Sequence, residues 1–184
     1  MNTMEIEKVK KATIADFVSI IDELKNIRFK EKLSYKFNTK DLQNDQFAEN
    51  FLDNVKKQIN HNKYKYIYTF FLPGNFATDK LYNRYKKTKK SKKSERAYAR
   101  LNRKSRCLYV GSSKGLISRI KQHLGFGPKG TYAMQLCYGC ENLDLDITLN
   151  IYALDNNLSI NAFQAFEDGT WNSLKPMLGR QGKK

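Results

Sequence analysis

Apolar residues recur at helical spacing over residues 13–28, where Ile14, Phe17, Val18, Ile21 and Leu24 share one face behind a Thr13 cap with Asp16 three residues on. A second helix is predicted over 45–60, with Phe47, Phe51, Leu52, Val55 and Ile59 on its apolar side. The stretch between them, 29–44, reads as a polar and basic linker carrying Tyr35 and Phe37. Residues 64–72 (YKYIYTFFL) are dense in aromatic and β-branched side chains and stop at Pro73-Gly74, a strong strand signal. Cys107–Leu124 reads as strand, glycine turn and helix. Leu108, Tyr109 and Val110 form the strand and Gly111-Ser112-Ser113 breaks it, before Leu116, Ile117, Ile120 and Leu124 repeat at helical spacing. Arg119 and His123 fall side by side along the border of that stripe. Beyond a turn at 125–130, a short helix is predicted over 131–137 behind Thr131. A strand follows over 143–153, and a last helix over 160–174 with Phe163, Phe166 and Trp171 as core contacts.

These elements predict an α/β (α+β) protein, with a helical N-terminal extension over 1–62 and the main domain over 63–184. At 184 residues and 40% hydrophobic content the chain is long enough to bury a core. It has no apolar run near 18 residues and no signal-peptide pattern, so a soluble, cytoplasmic protein without membrane contact is expected. His61 is expected at the surface. Cys137 and Cys140 form a C-x-x-C, to which Cys107 and His123 could be added as a zinc set. No second C-x-x-C exists, and Cys107 precedes a core-facing strand, so buried or free thiols are the expectation.

The formal net charge of +16 points to a polyanionic partner, nucleic acid before membrane. Residues 84–106 hold twelve cations against one acid, Glu95, and so carry +11 of that total. Lys86, Lys87, Lys89, Lys90, Lys92, Lys93, Arg96, Arg100, Arg103 and Lys104, with Lys114 beyond, are the candidate phosphate contacts. The block is expected as a long basic loop inserted between two strands. Tyr85 and Tyr98 within it are candidates for stacking or sugar contact.

From residue 64 onward the order of elements resembles the GIY-YIG nuclease domain. Tyr66-Ile67-Tyr68-Thr69-Phe70 stands where that family has G-I-Y-x-I, and Tyr109-Val110-Gly111 matches its Y-I-G. Arg119 and His123 match its R-x-x-x-H, and Glu167 with Pro176 nine residues on matches its last-helix motif. The resemblance implies a small three-stranded antiparallel sheet flanked by helices. Three features depart from the family. Tyr66 fills the first glycine's place, leaving Tyr66 and Tyr68 as alternatives for the first tyrosine. The gap between the tyrosine motifs is long, and Gly179 stands where an asparagine usually follows the proline. The terminal Gly179-Arg180-Gln181-Gly182 looks like the restriction-endonuclease branch.

The resemblance implies a metal-dependent endonuclease acting on double-stranded DNA and leaving 5′-phosphate and 3′-hydroxyl ends. Its catalytic residues would be Tyr68, Tyr109, Arg119, His123 and Glu167. The chemistry suits these residue types: a lone carboxylate, Glu167, can ligate Mg²⁺ (or Mn²⁺) while waters complete the shell. Arg119 offers a guanidinium fork to a phosphate. A tyrosine can take a proton from water if neighbouring charge (Arg119, Lys114, a metal) depresses its pKa, and His123 can share in the transfer. Cutting both strands would suggest a homodimer, with residues 1–62 serving dimerisation or DNA contact. Two other readings stay open: a repair, recombination or mobile-element nuclease, and a basic nucleic-acid-binding protein without catalysis.

Overall fold

The computed structural model describes residues 2–182. Among the described residues six α-helices and four strands follow in the order α1 (Thr3–Lys25), β1 (Phe29–Asn38), α2 (Asp45–Lys57), β2 (Tyr64–Phe71), α3 (Asn75–Lys90), β3 (Cys107–Ser112), α4 (Leu116–Leu124), α5 (Leu136–Gly139), β4 (Asp146–Asp155) and α6 (Ile160–Leu174). The fold is α+β. Its single sheet is antiparallel throughout and runs β1-β4-β2-β3.

The sheet has four strands, not three. The added one, β1, comes from the segment that reads as a linker. Leu33 and Phe37 point into the core with Tyr35 half-buried between them, while Lys30, Lys32 and Lys36 take the outer face. Lysines on the polar face hid that alternation, and they suit an edge strand, where charge discourages pairing with another chain. β1 pairs along β4 from Phe29↔Leu154 to Asn38↔Asp146. The chain before residue 63 therefore supplies part of the sheet as well as two helices.

The helices differ from expectation at three places. α1 begins ten residues early, because Asn2 and Glu5 form a reciprocal cap: the Asn2 side chain accepts the Glu5 N–H at 2.9 Å and Glu5 accepts the Asn2 N–H at 2.7 Å. Thr13 sits inside the helix and donates to the Val9 carbonyl. None of the residues of α1 is buried. The basic block is not a loop in its first third. α3 runs through it to Lys90, burying Ala77, Thr78, Leu81, Tyr85 and Thr88, while its lysines face outward. Downstream, Tyr98 bridges to Ala133 and Leu101 to Leu178. Tyr85 and Tyr98 meet edge to face at 5.8 Å inside the core, so burial removes Tyr85 from base stacking or sugar contact and leaves Tyr98 only a small exposed edge. Finally, the short helix falls at Leu136–Gly139, later than 131–137.

The main core lies on the sheet face covered by α2, α3 and α4, and includes Val55, Phe70, Leu81, Leu108, Ile120, Met134, Leu149 and Ile151. α6 packs beside β3, and a smaller cluster of Ile67, Leu154 and Leu158 sits beneath it with Phe163 and Phe166. Among the described residues no helix is long and apolar enough to cross a membrane.

Candidate active site

Tyr68 and Tyr109 lie on adjacent strands, β2 and β3, whose register pairs Tyr68 with Gly111 and Phe70 with Tyr109. The pleat therefore sends both tyrosines and Gly111 to the same face. Their rings stack with centroids 6.0 Å apart. Gly111 makes this arrangement fit. A Cβ built there would stand 2.7 Å from Tyr109 Cε1 and 2.9 Å from the Tyr68 hydroxyl, closer than carbon atoms tolerate.

α4 crosses this face. The spacing of Arg119 and His123 puts them one turn apart, and both turn toward the tyrosines. His123 is wholly buried, not set on an exposed helix border, and its ring lies 4.1 Å from that of Tyr109. Its Nδ1 accepts the backbone N–H of Met134 at 3.3 Å and its Nε2 meets Tyr68 Oη at 3.0 Å. Burial, and then the Arg119 charge, hold the imidazole pKa well below 6.5, so the ring is neutral. With Nδ1 accepting, the single ring proton resides on Nε2 and is donated to Tyr68 Oη.

Arg119 is half-buried and held by three hydrogen bonds, which leaves N–H groups of its five to spare. It donates to Gln122 Oε1 at 2.8 Å, to the Tyr132 carbonyl at 3.1 Å and to Tyr109 Oη at 3.3 Å, and its charge also reaches Tyr68. Burial raises the Tyr68 phenol well above 10, the nearby Tyr109 adds to that, and Arg119 opposes it without prevailing. The depressed phenol pKa expected for a tyrosine base is thus absent at Tyr68. Tyr109 is half-buried and lines an open cleft of about 620 Å³ together with Lys89, Tyr98, Arg100, Arg119, Tyr132, Gly179 and Arg180.

Tyr66 is placed elsewhere. It is buried at the other end of β2, where its hydroxyl accepts the Asn60 N–H at 2.8 Å and its ring meets exposed His61. Of the two alternatives, Tyr68 is the one that joins the cluster.

Glu167 projects from α6 to the end of β3. It accepts the Ser112 N–H at 3.1 Å and the Ser112 hydroxyl at 2.6 Å. Each carboxylate oxygen keeps a further lone pair. Among the described residues no three His, Cys, Asp or Glu side chains group closely enough to hold a metal. Burial pushes the Cys107 and Cys140 thiols up to about 12, as expected of inert buried thiols. A hard cation that keeps most of its waters and takes one carboxylate fits Glu167.

The structure divides the basic candidates. Arg84 and Lys93 pair with Glu141, and Lys104 with Asp79 at 2.7 Å. Arg96 donates to the Gly127 carbonyl at 2.8 Å and to Gln135, with its guanidinium over the Tyr138 ring. These cations, together with Lys89 on the Ala99 carbonyl and Arg106 on the Leu72 and Pro73 carbonyls, are therefore engaged within the fold. Lys86, Lys87, Lys90, Lys92 and Arg103 are exposed. Lys89 and Arg100 line the cleft beside Tyr109, whereas Lys114 lines a separate hollow with Tyr64, Tyr66 and Ser112.

Three further contributors to the site are not among the candidate site residues. Ser112 anchors Glu167. Asn102 donates to the carbonyls of Pro176 and Gly179, both at 3.0 Å, which pins the C-terminal segment beside β3. Gly179, at φ +102°, lies against the Tyr109 ring, where a Cβ would come within 2.7 Å of Cε2. A larger residue at that position would displace the tyrosine, and the positive φ favours glycine as well.

Comparison with protein-family models, with curated proteins and with solved structures finds no match to this chain.

Proposed function

We propose that the protein is a divalent-metal-dependent DNA endonuclease of GIY-YIG type, acting as a restriction-like enzyme on double-stranded DNA. The observation that carries this reading is the convergence of Tyr68, Tyr109, Arg119 and His123 around the space left by Gly111, with Glu167 fastened to the next residue, Ser112. Phosphodiester hydrolysis needs an attacking water, charge stabilisation at phosphorus and help for the leaving oxygen. Every one of those tasks has a candidate group here.

Tyr109 and Arg119 line the open cleft and are assigned contact with the scissile phosphate and the attacking water. Arg119 presents its guanidinium beside the Tyr109 hydroxyl, so phosphate charge and phenol oxygen would share one cation. Tyr68, wholly buried behind them, is a positioning residue. It receives the His123 Nε2 proton and fixes the wall against which Tyr109 stacks. Glu167 would hold Mg²⁺ or Mn²⁺, which when bound supplies charge neutralisation at the phosphate and leaving oxygen. The expected products carry 5′-phosphate and 3′-hydroxyl ends.

The test is purified protein on mixed-sequence duplex DNA with Mg²⁺, beside EDTA and Glu167→Ala controls. Discrete fragments that vanish in both controls support a sequence-specific nuclease. A metal-dependent smear keeps the nuclease and discards the restriction reading. Retarded but intact DNA in all three lanes favours a binding protein without catalysis.

A further inference from the structure

The cleft that exposes Tyr109 and Arg119 is also lined by Lys89, Arg100 and Arg180, which come from α3, the segment leading to β3 and the C-terminal segment. Like charges drawn together from three distant parts of a chain repel, so a fold that gathers them needs either acids among them or an anion from outside. Among the described residues no carboxylate forms an ion pair with any of the three, although Arg84, Lys93 and Lys104 in the same stretch each have one. The crowding has a cost at Lys89. Burial, then Arg180 and Arg100, push its ammonium below the ordinary lysine range.

The placement is built and not a chance of long side chains. Lys89 Nζ donates to the Ala99 carbonyl at 2.7 Å, next to Arg100. The Arg100 carbonyl accepts the Gly179 N–H at 2.8 Å, and Asn102 clamps the Gly179 carbonyl. Because Gly179 lies against the Tyr109 ring, Arg180 follows in the chain immediately beside that ring.

We propose that Lys89, Arg100 and Arg180 form a second phosphate subsite, which takes a backbone phosphate neighbouring the one held at Tyr109 and Arg119. This rests on the nuclease reading and adds Arg180 to the residues that touch DNA. The subsite fixes the register of the strand in the cleft and carries no base preference, since it meets only phosphate. Cleavage then depends on having a nucleotide on that side of the scissile bond.

The experiment is fluorescence anisotropy of a labelled duplex in EDTA, which prevents cutting, over a series of NaCl concentrations. Every phosphate that goes unneutralised should lower the slope of log K against log salt by about one. The Arg100→Gln/Arg180→Gln double variant, which strips the subsite of two of its three cations, is expected to reduce the slope by about one, and Arg180→Lys to keep it. Lys40→Gln, outside the basic block and paired with Asp144, should leave it unchanged. Both arginines are exposed, and a melting temperature matching wild type checks that the double variant is folded. Wild-type binding with an unaltered slope in the double variant overturns the subsite and leaves the nuclease reading standing. Failure of the wild-type protein to bind the duplex overturns both.

Discussion

Glu167 accepts two hydrogen bonds from a single residue, Ser112, one from its backbone N–H and one from its hydroxyl. The helix bearing the candidate metal carboxylate is thereby tied to the strand bearing Tyr109, at the residue after Gly111. Removing the hydroxyl should loosen the carboxylate without removing it. Supporting bonds of this kind typically govern about 10–100-fold in metal affinity or activity. Ser112→Ala is expected to raise the Mg²⁺ concentration for half-maximal cleavage by about tenfold, with the maximal rate less affected. Glu167→Gln should abolish cleavage at any Mg²⁺ while DNA retention in EDTA persists. A magnesium titration of both variants checks the pair, and an unchanged half-point for Ser112→Ala would remove the anchoring role.

Gly111→Ala should damage the site and the fold together. The added methyl meets the Tyr109 ring at 2.7 Å and the Tyr68 hydroxyl at 2.9 Å, with the sheet on the other side leaving little room to yield. Overpacking of this kind costs about 1–3 kcal/mol. Urea unfolding should show that loss, and cleavage should fall even at temperatures where the variant is folded. A variant as stable and active as wild type would show that the tyrosines are not held as described.

Much of this arrangement is legible in the order of residues alone. The last helix falls at 160–174 as its apolar spacing requires, and the strand at 64–71 and the helix from Leu116 are equally local. Arg119 and His123 share α4 because a helix repeats within four residues. What escapes is whatever depends on contacts across long separations. Ser112 and Glu167 are 55 residues apart, and Asn102 and Gly179 are 77 apart. Nothing beside either partner announces the bond. β1 escaped for another reason: lysines on its outer face made an alternating strand look like a polar linker. The sequence order of cations in 84–106 likewise cannot say which of them find acids, because Glu141 and Asp79 lie outside the block.

Stability should fall on mild acidification because of His123. Its pKa lies well below 6.5 in the folded protein, where burial and Arg119 penalise the cation, whereas the unfolded ring titrates near its ordinary value. The unfolded state therefore binds more protons as pH drops below about 6.5, and stability present above that value is progressively lost. Tyr68 acts at the opposite end: its raised phenol pKa means that stability falls as pH rises beyond about 10, where only the unfolded phenol ionises readily. Urea midpoints between about pH 5 and pH 8 should decline toward acid in wild type and flatten in His123→Gln. An equal decline in both proteins would assign the effect to other groups.

The first helix gives the last prediction. α1 is 23 residues long, about 35 Å at 1.5 Å per residue, yet it leaves Ile6, Val9, Ile14, Phe17, Val18 and Ile21 about half exposed or more. Helices in water owe most of their stability to a packed apolar face, and α1 meets the rest of the molecule chiefly near its end, where Glu23 accepts the Ser159 N–H. Its charges indicate what covers that stripe. The first half holds Lys8, Lys10 and Lys11 against Glu5 and Glu7, and the second Asp16, Asp22 and Glu23 against Lys25, so two copies laid antiparallel set a net +1 half against a net −2 half along a shared apolar seam. A second copy of this chain is therefore the expected occupant. A stripe along the whole helix supplies area comparable to the roughly 800 Å² per partner that stable interfaces bury. Light scattering should give twice the 21.5 kDa of the chain, and Phe17→Asp with Ile21→Asp should return it to one copy. The same double variant should nick duplex DNA instead of breaking both strands at once, since each chain brings one cluster. A wild-type chain that stays at 21.5 kDa at tens of micromolar, with and without DNA, would refute the pairing.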